Sequence, residues 1–397
     1  MLKFELNISK IKSLNENQLK IDEDFIINYA KSLNYFGSVV VSNINSPSLL
    51  KGICKAAECN LVLNSPEIET IRSVLQNGVK KVIIPEKEVE NVSQKISKNV
   101  LVARITLRET SLLKNNLNDL KIEIKEIFNR MVPYCSEFLI DYDEDLSIEE
   151  STVLAVIDSI SEFNNYPLTF FDTNNNLTEI LEKKGVNPFI CSSGMFEEKE
   201  MLQIFKSTLD FRKLEGLIPT IVQDEHNQIL MLAFSSQASL TQALTQKKGI
   251  YYSRSRKSIW IKGETSGNYQ TLNKVRYDCD QDALLFNVRQ EGVACHLKRY
   301  SCFGNREFEL SDLYEIIQDR ILNPTTNSYT SKISKDERLI IEKIREESNE
   351  VINYTNDENL VWEIADLLYF IMVLMAKKEI NLQDILNELW SRRNYGN

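Results

Sequence analysis

The first half of the chain alternates short apolar runs with longer amphipathic stretches. Short β-branched runs bounded by polar residues predict strands, whereas apolar residues spaced three and four apart predict helices. The predicted strands are Leu2–Leu6, Ser38–Ser42, Asn60–Leu63, Lys81–Ile84, Val100–Ile105, Phe138–Asp141, Leu168–Phe171 and Pro188–Cys191. The predicted helices between them include Glu67–Gln76, Leu113–Met131, Ile148–Phe163 and Glu197–Phe205. This alternation predicts a parallel α/β domain over residues 1–206, with a closed TIM-barrel-like sheet as the expected form.

The pattern changes near Lys206–Glu215, after which strands become shorter and turns more frequent. The predicted strands of this second segment include Ile229–Ala233, Ile250–Ser253, Ser258–Lys262 and Leu284–Val288. They predict a compact α+β domain over residues 207–306. From Leu310 onward the pattern is helical throughout, and the apolar stretch Leu360–Met375 carries its acidic residues at helical spacing. Residues 307–397 therefore predict an all-α helical bundle, and the chain as a whole is multidomain.

Composition agrees with several folded domains. The chain has 397 residues, 43% of them hydrophobic and 26% charged, with only 12 glycines and 8 prolines. Its seven cysteines are an odd number in a long chain, which argues against a disulfide framework. Four of these cysteines lie among apolar neighbours and are expected to be buried thiols, namely Cys54, Cys59, Cys135 and Cys191.

The formal net charge of −10 disfavours nucleic acid or an anionic membrane as the main partner. We read no apolar run that approaches the roughly 20 residues of a membrane span. The segment after Met1 places Glu5 where a signal peptide needs apolar residues, so we expect a cytoplasmic protein.

Three cysteines fall close together beside an aspartate triplet. The sequence Asp278-Cys279-Asp280-Gln281-Asp282 is followed by Cys295 and Cys302. Three thiolates suit Zn²⁺ and leave a fourth position for a water, whose pKa the metal lowers to roughly 7. If the aspartate stretch is extended, its carboxylates share one face and suit Mg²⁺, while Cys279 points to the other face. The alternative is a set of buried thiols beside a solvated acidic turn.

Candidate acid–base and phosphate-binding residues surround this cluster. His296 is one of only two histidines and adjoins Cys295, so it is either a core histidine or a general acid/base. Arginines, hydroxyls and a lysine near a metal site suit a phosphate group. The candidate phosphate-binding residues are Ser253, Arg254, Ser255, Arg256, Trp260, Lys262, Thr265 and Ser266. Glu264, in the same stretch, is a candidate catalytic residue.

The run from Gly249 to Gly304 resembles phosphoribosyl-AMP cyclohydrolase in the pieces YYSRSR, W-x-KGETSGN, DCDQDALL, ACH and SCF. The resemblance implies a homodimer whose zinc is held by three cysteines, one of them donated across the dimer. Its ligands here are Cys279, Cys295 and Cys302 for zinc, and Asp278, Asp280 and Asp282 for magnesium. The implied reaction is hydrolytic opening of the adenine ring between N1 and C6. The H-x-E signature of purine deaminases is absent, so His296 is the candidate acid/base.

Two pairs of carboxylates mark the helical segment. Glu347 and Glu350 are three apart, as are Glu363 and Asp366, so each pair occupies one helix face. Two such faces brought together make a four-carboxylate Mg²⁺ site. The alternative is an ordinary solvated helix face. The second pair lies in an apolar stretch, where unpaired carboxylates would cost several kcal/mol to bury.

This arrangement resembles the all-α nucleotide pyrophosphohydrolases. The stretch Asn327–Thr330, Lys343 and the glutamate pair ending at Glu347 narrow the resemblance to phosphoribosyl-ATP pyrophosphohydrolase, over Leu310–Arg393. It implies that Mg²⁺ on the four carboxylates bridges the triphosphate, with Lys343 adding positive charge as a catalytic residue.

The order of the segments resembles the first part of fungal multifunctional histidine-biosynthesis proteins. That family usually continues into histidinol dehydrogenase, and because the sequence ends at Asn397 we expect this activity to be absent. The first segment is also similar, around Ile68–Ile84, to the phosphosugar isomerase barrel of the same pathway.

Several residues expected for isomerase chemistry are missing from the first segment. The turn Leu63–Pro66 has no glycine, the first strand has no aspartate, and Ser192-Ser193-Gly194 keeps one glycine. Asp141 is more simply a strand-end residue than a survivor of the catalytic pair. We therefore expect a degenerate, non-catalytic barrel.

These observations predict a bifunctional, zinc- and magnesium-dependent enzyme of histidine biosynthesis that acts on nucleotide substrates. It would hydrolyse phosphoribosyl-ATP to phosphoribosyl-AMP and pyrophosphate, and then open the adenine ring of phosphoribosyl-AMP. Two other interpretations stay open: a house-cleaning nucleotide pyrophosphatase with a structural zinc domain, and a metal-stabilised assembly scaffold.

Overall fold

The computed structural model describes residues 2–14, 21–107, 117–142, 149–163, 165–172, 177–191, 195–306 and 308–393. It divides into two compact units. Unit 1 comprises Met1–Asn305 with Trp390–Asn397, and unit 2 comprises Arg306–Leu389. Each unit has its own hydrophobic core. Unit 1 contains both the predicted α/β segment and the predicted α+β segment, and the three predicted domain boundaries stay a prediction.

Eight parallel strands close into a barrel in the first part of unit 1, which confirms the predicted sheet. The first strand pairs with the second through Lys3↔Ser38 and with the eighth through Lys3↔Phe189, so the sheet has no free edge. Its strands read as nearly continuous apolar runs because both faces are buried. They are β1 Lys3–Asn7, β2 Ser38–Ser42, β3 Cys59–Val62, β4 Lys81–Pro85, β5 Leu101–Leu107, β6 Glu137–Tyr142, β7 Leu168–Asp172 and β8 Asn187–Ile190.

Helices follow the barrel strands and cover the sheet. They are α1 Ile8–Ser13, α2 Glu23–Phe36, α3 Pro47–Ala56, α4 Ile68–Gln76, α5 Glu86–Ser93, α6 Leu117–Met131, α7 Glu150–Ser159, α8 Thr178–Lys183 and α9 Glu198–Ser207. Asp22 caps the N-terminus of helix α2, since its carboxylate accepts a hydrogen bond from the Phe25 amide, and Gly37 caps its C-terminus. The helix buries Ile26, Ala30 and Leu33 at helical spacing.

The second part of unit 1 is a four-stranded sheet with the strand order β10-β9-β14-β13, plus a two-stranded hairpin β11-β12. Strand β14 is parallel to β9, whereas the other pairs are antiparallel. Strand β13 lies at an edge of the sheet, and the barrel helix α2 packs beside it. The elements are β9 Leu217–Gln223, β10 Ile229–Ser236, α10 Gln237–Gln246, β11 Ile250–Ser253, β12 Ser258–Ile261, β13 Gln270–Tyr277 and β14 Leu284–Gln290.

Unit 2 is helical throughout its described residues, as predicted. Tyr314, Ile340, Phe370 and Val373 are among the residues that form its core. The helices are α11 Leu310–Leu322, α12 Tyr329–Ile333, α13 Glu337–Ile352, α14 Asp357–Lys377 and α15 Leu382–Arg393, the last of which extends into the terminal segment grouped with unit 1.

Helix α14 corrects one expectation. An 18-residue window of this 21-residue helix has a mean hydropathy of 1.7, so by length and composition alone the helix could cross a membrane. The two interior carboxylates, Glu363 and Asp366, divide the apolar stretch into short runs, which is why the sequence pattern hid its length. A core helix of a soluble protein passes the same test. Apolar side chains of this helix are nevertheless exposed, including Val361 at 65% and Trp362 at 60%.

Candidate functional sites

The aspartate triplet lies in the loop that joins β13 to β14. Tyr277 pairs with Leu284 across the hairpin, and the Asp278 carboxylate accepts hydrogen bonds from the amides of Asp282 and Ala283, both at 3.1 Å. The loop turns tightly around this carboxylate, as Asp side chains favour in turns. The stretch is therefore not extended, and the alternation of faces that an extended stretch would give does not form.

The tight loop nevertheless brings the three carboxylates together. Oxygens of Asp278, Asp280 and Asp282 lie within 4.8 Å of one another. The ammonium group of Lys213 lies 2.9 Å from Asp280 and 2.6 Å from Asp282. This neighbour lowers the pKa of Asp280 and has its own pKa raised, whereas burial and the adjacent carboxylates raise the pKa of Asp278. A cation already lies against two of these carboxylates, so the donor set fits a hard metal ion.

Two of the three predicted zinc ligands are neighbours. The Cys302 thiol lies within hydrogen-bonding range of the Cys295 thiol, and burial together with this neighbour raises the pKa of Cys302. Burial lowers the pKa of Lys262, whose positive charge lies near both sulfurs. Cys279 is exposed and forms no cluster with the other two among the described residues. One chain therefore brings together two of the thiols, which are soft ligands suited to Zn²⁺.

The scattered cysteines follow the prediction with one exception. Cys59, Cys135 and Cys191 are buried, and burial raises the pKa of Cys135 to about 12. Cys54 is only half-buried, at the edge of the core where it contacts Cys59. None of the seven cysteines forms a disulfide.

His296 lies in the loop beside Cys295 and is exposed. The interpretation as a core histidine is therefore wrong. The next amide, that of Leu297, donates to the Cys295 sulfur at 3.4 Å, and the Cys302 amide donates to the Leu230 carbonyl at 2.8 Å. These bonds fix the loop at Cys295 and attach Cys302 to strand β10.

The predicted phosphate-binding residues fall in two turns at the ends of the β11-β12 hairpin. The turn between the strands contains Arg254, whose guanidinium lies 3.8 Å from the centre of the Phe234 ring. In the same turn the Ser253 hydroxyl accepts from the Arg256 amide at 3.2 Å. The exposed residues of the two turns are Arg254, Ser255, Arg256, Glu264, Thr265 and Ser266, whereas Ser253 and Trp260 are half-buried and Lys262 is buried.

The turn after β12 requires glycine. Gly263 has φ +91°, and a Cβ there would lie 2.6 Å from the backbone of Asn268. A side chain at this position would displace the loop that carries Glu264 and Thr265.

A cavity of about 500 Å³ lies beside the aspartate loop. Of the predicted residues only Arg254 lines it. The sequence analysis did not single out its other polar and aromatic residues, namely Lys213, Glu215, Phe234, Tyr252 and Lys257. No spacing signal connects Lys213 to the triplet, because 67 positions separate it from Asp280.

In unit 2 the structure gathers all four predicted carboxylates. Oxygens of Glu347, Glu363 and Asp366 lie within 4.8 Å of one another, and Glu350 is hydrogen-bonded to Glu363. Burial and the charge of Asp366 raise the pKa of Glu347, and the contact with Glu363 raises that of Glu350. Like charges held this close destabilise the metal-free site and favour a divalent cation.

Lys343 lies at the edge of this carboxylate cluster. Its ammonium is 2.7 Å from Glu346 and 3.9 Å from Glu347, and the contact with Glu346 raises the pKa of Lys343. The Asn359 amide donates to Glu363 at 2.6 Å. The sequence analysis did not single out Asn359, although it lies one turn before Glu363 on the same helix.

The mouth of the barrel contains a small polar cavity of about 220 Å³. Asp141 is buried there and pairs with Arg104 at 2.5 Å, while Arg104 also donates to Asn64 at 3.0 Å. The carboxylate that could have survived from an isomerase site is thus engaged by a guanidinium. The turn Ser192-Ser193-Gly194 lies outside the described residues.

Comparison with known proteins assigns the second half of the chain. Residues 231–304 match the phosphoribosyl-AMP cyclohydrolase family, and residues 310–393 match the phosphoribosyl-ATP pyrophosphohydrolase family. The two matches contain the aspartate loop with the thiol pair and the four-carboxylate cluster, respectively.

Curated relatives carry both regions in their names. The histidine biosynthesis bifunctional protein HisIE of Caldanaerobacter subterraneus subsp. tengcongensis is 44% identical over 203 residues, which are 46% of this chain and 98% of the relative. The HisIE protein of Pyrococcus furiosus is 40% identical over 47% of this chain and 95% of its own length. The histidine biosynthesis trifunctional protein of Saccharomyces cerevisiae is 37% identical over 53% of this chain. The chain spans only 28% of that fungal relative.

The two family matches, together with relatives that the chain covers almost completely, lead to one assignment. The chain belongs to the family of histidine biosynthesis bifunctional proteins HisIE, with a cyclohydrolase region in its middle and a pyrophosphohydrolase region in its C-terminal helices.

Proposed function

We propose that this chain catalyses two consecutive hydrolyses. Residues 307–397 release pyrophosphate from phosphoribosyl-ATP, and residues 207–306 open the adenine ring of the resulting phosphoribosyl-AMP. The observation that carries the proposal is the convergence of the predicted ligands: four carboxylates meet in unit 2, and a carboxylate triplet and a thiol pair form in unit 1.

For the first reaction, Glu347, Glu350, Glu363 and Asp366 would hold Mg²⁺. When bound, Mg²⁺ would neutralise the polyphosphate and lower the pKa of a water nucleophile. The raised pKa values of Glu347 and Glu350 support this role, since they reflect negative charge that lacks a compensating cation. Lys343 would bind the phosphate oxygens from the edge of the site, where its ammonium already lies against Glu346.

For the second reaction, Asp278, Asp280 and Asp282 would hold Mg²⁺, and the cysteines would hold Zn²⁺. When bound, Zn²⁺ would supply an activated water at neutral pH. Arg254 would bind the phosphate of the substrate, because its guanidinium lines the cavity beside the aspartate loop. His296, exposed next to the thiol pair, would move the proton between the water and the departing N1. Glu264 lies on the exposed turn after β12, and from there it would orient the nucleotide.

The third zinc ligand would come from a second copy of the chain. Cys295 and Cys302 are neighbours, whereas Cys279 is exposed and apart from them. A homodimer that places Cys279 of one copy beside the thiol pair of the other would complete a three-thiolate site. The exposed apolar side chains of α14, such as Val361 and Trp362, are a second surface that association would bury.

We propose no catalytic role for the barrel. Residues 1–206 lack glycine at the turn after β3, and the strand-end Asp141 is paired with Arg104. A scaffold of this kind can support stability or dimerisation without substrate contacts.

One experiment distinguishes the proposed function from the two other interpretations, a house-cleaning nucleotide pyrophosphatase and a scaffold. Purified chain with Zn²⁺ and Mg²⁺ is given phosphoribosyl-AMP, and the absorbance change of adenine-ring opening is followed. We expect turnover by the wild-type chain and none by Cys302→Ser, which should also lose bound zinc in metal analysis. A chain that hydrolyses nucleoside triphosphates but leaves phosphoribosyl-AMP intact is a house-cleaning enzyme, and a chain inactive on both is a scaffold.

A further inference from the structure

The aspartate loop is attached on one side to the barrel and to the segment that follows it. Strand β13, which leads into the loop, is an edge strand of its sheet and is covered by barrel helix α2. The loop itself is contacted by the segment between α9 and β9. Three separate contacts make this attachment.

The first contact is a buried arginine at the end of β13. Arg276 is 8% exposed, and its guanidinium donates to the Tyr35 carbonyl at 3.3 Å, the Gly37 carbonyl at 3.3 Å and the Asn34 side chain at 3.1 Å. These acceptors lie at the C-terminal end of α2, where main-chain carbonyls lack helical partners and the helix dipole favours a cation. Burial lowers the pKa of Arg276, but a guanidinium stays protonated.

The second contact is aromatic, and the third is a main-chain hydrogen bond. The ring of Tyr277 lies 5.6 Å from that of Phe205, on barrel helix α9. The Asp210 amide donates to the Gln281 carbonyl, inside the loop, at 2.9 Å. Residues 276 and 277 are thus held by barrel helices, and residue 281 by the segment that follows the barrel, on both flanks of Asp278 and Asp280.

We propose that the barrel is a positioning domain for the aspartate loop, and that Arg276 is the positioning residue that links them. The inference rests on the proposed function, in which the triplet binds Mg²⁺. Arg276 lies two residues before Asp278 and touches no substrate, so it acts by fixing the backbone from which the carboxylates project. Residues that orient metal ligands without contacting the metal change affinity by about 10- to 100-fold when removed.

The barrel thus has a positioning role, although it lacks the residues expected for isomerase chemistry. The HisIE relative from Caldanaerobacter is covered over 98% of its length by 46% of this chain, which leaves it no room for the 206-residue barrel segment. In this chain the edge of β13 and the charge of Arg276 are covered by α2, and we expect the geometry of the loop to depend on that cover.

The test compares Arg276→Met with Arg276→Lys in the full chain. Arg289→Met is the matched control, since it makes the same change on an exposed residue of the neighbouring strand β14. Binding of Mn²⁺ to the triplet is measured by electron paramagnetic resonance without substrate, in chains that also carry Glu363→Gln and Asp366→Asn to remove the second site. The Mg²⁺ dependence of ring opening is measured in chains with the second site intact, with pyrophosphate release as the internal control.

We expect Arg276→Met to weaken Mn²⁺ binding by about tenfold and to raise the half-saturating Mg²⁺ concentration for ring opening by a similar factor. The rate at saturating Mg²⁺ and the release of pyrophosphate should change little. Arg276→Lys should lie between Met and wild type, and Arg289→Met should match wild type. If Arg276→Met does not fold, Asn34→Ala removes one barrel acceptor and should shift the same quantities in the same direction by a smaller factor.

Unchanged metal affinity in both Arg276→Met and Asn34→Ala, in a chain that opens the ring, overturns the inference and leaves the proposed function intact. A wild-type chain that neither binds Mn²⁺ at the triplet nor opens the ring contradicts the proposed function itself. A lower rate at saturating Mg²⁺, with unchanged affinity, assigns Arg276 a purely structural role and also overturns the inference.

Discussion

Replacing Glu347 by Gln should make the metal-free helix pair α13–α14 more stable, although the residue is 6% exposed. Substitution of a buried, partnered residue usually destabilises a protein. Here the partners of Glu347 include Glu363 and Asp366, whose oxygens lie within 4.8 Å of its own. Two like charges at that distance repel by about 1 kcal/mol in a water-like medium and by about 3.5 kcal/mol at an effective dielectric of about 20.

The expected gain is smaller than the sum of these repulsions. Burial and the charge of Asp366 raise the pKa of Glu347, and the substitution also removes the attraction to Lys343 at 3.9 Å. We therefore expect a net stabilisation of the metal-free helix pair by about 1 to 2 kcal/mol, which corresponds to roughly tenfold slower hydrogen exchange by local opening of these helices. With Mg²⁺ the order should reverse, because the wild-type site binds the ion with one more carboxylate.

Hydrogen exchange of peptides from α13 and α14, read by mass spectrometry with and without Mg²⁺, measures this local stability. Glu342→Gln is the control, since it removes an exposed carboxylate from the same helix outside the cluster. The reasoning is refuted if Glu347→Gln exchanges faster than wild type in chelator and still gains the wild-type protection from Mg²⁺. That outcome would make Glu347 an ordinary buried residue.

Three further predictions follow from the same contacts. The raised pKa values of Glu347 and Glu350 mean that the folded state binds protons more tightly than the unfolded chain. The metal-free helices should therefore become more stable as the pH falls from 7 towards 4.5, the ordinary pKa of a glutamate. Hydrogen exchange without Mg²⁺ measures this stability, and the absence of such a trend would mean that the two pKa values are not raised. Lys213→Met removes an ammonium that competes for the aspartate triplet, so Mn²⁺ should bind there more tightly by a few-fold in a titration; weaker binding would mean that the lysine organises the site instead. Mixing Cys279→Ser with Cys302→Ser chains should restore ring opening to about a quarter of the wild-type rate, because random assortment makes about half of the dimers mixed and each mixed dimer has one intact zinc site. No recovery on mixing would place all three zinc ligands in one chain.

The parts of the fold that could be predicted are those with strong local patterns. The barrel strands are runs of β-branched and aromatic residues buried on both faces, such as Ser38–Ser42, and their positions were predicted to within one or two residues. Strand β13 was missed because Gln270–Tyr277 contains Asn273, Lys274 and Arg276, which interrupt an apolar run.

The site shows the same division. Metal ligands within one loop or one helix pair could be predicted, because the spacing of Glu347 with Glu350 or of Asp278 with Asp280 already puts them near each other. Residues brought in by the fold could not. Lys213 reaches the triplet from a separate segment, and Arg276 is buried only because the barrel supplies its acceptors, so both look like surface residues in the sequence.

The central claim is that two separate hydrolytic sites act in sequence, and product analysis from phosphoribosyl-ATP tests it most directly. Pyrophosphate and the absorbance of ring opening are followed together for the wild-type chain, Cys302→Ser and Asp366→Asn. We predict both signals for wild type, and pyrophosphate with accumulated phosphoribosyl-AMP for Cys302→Ser. Asp366→Asn should give neither signal until phosphoribosyl-AMP is supplied, after which the ring should open at nearly the wild-type rate. Loss of both activities in either folded variant would contradict the two-site account.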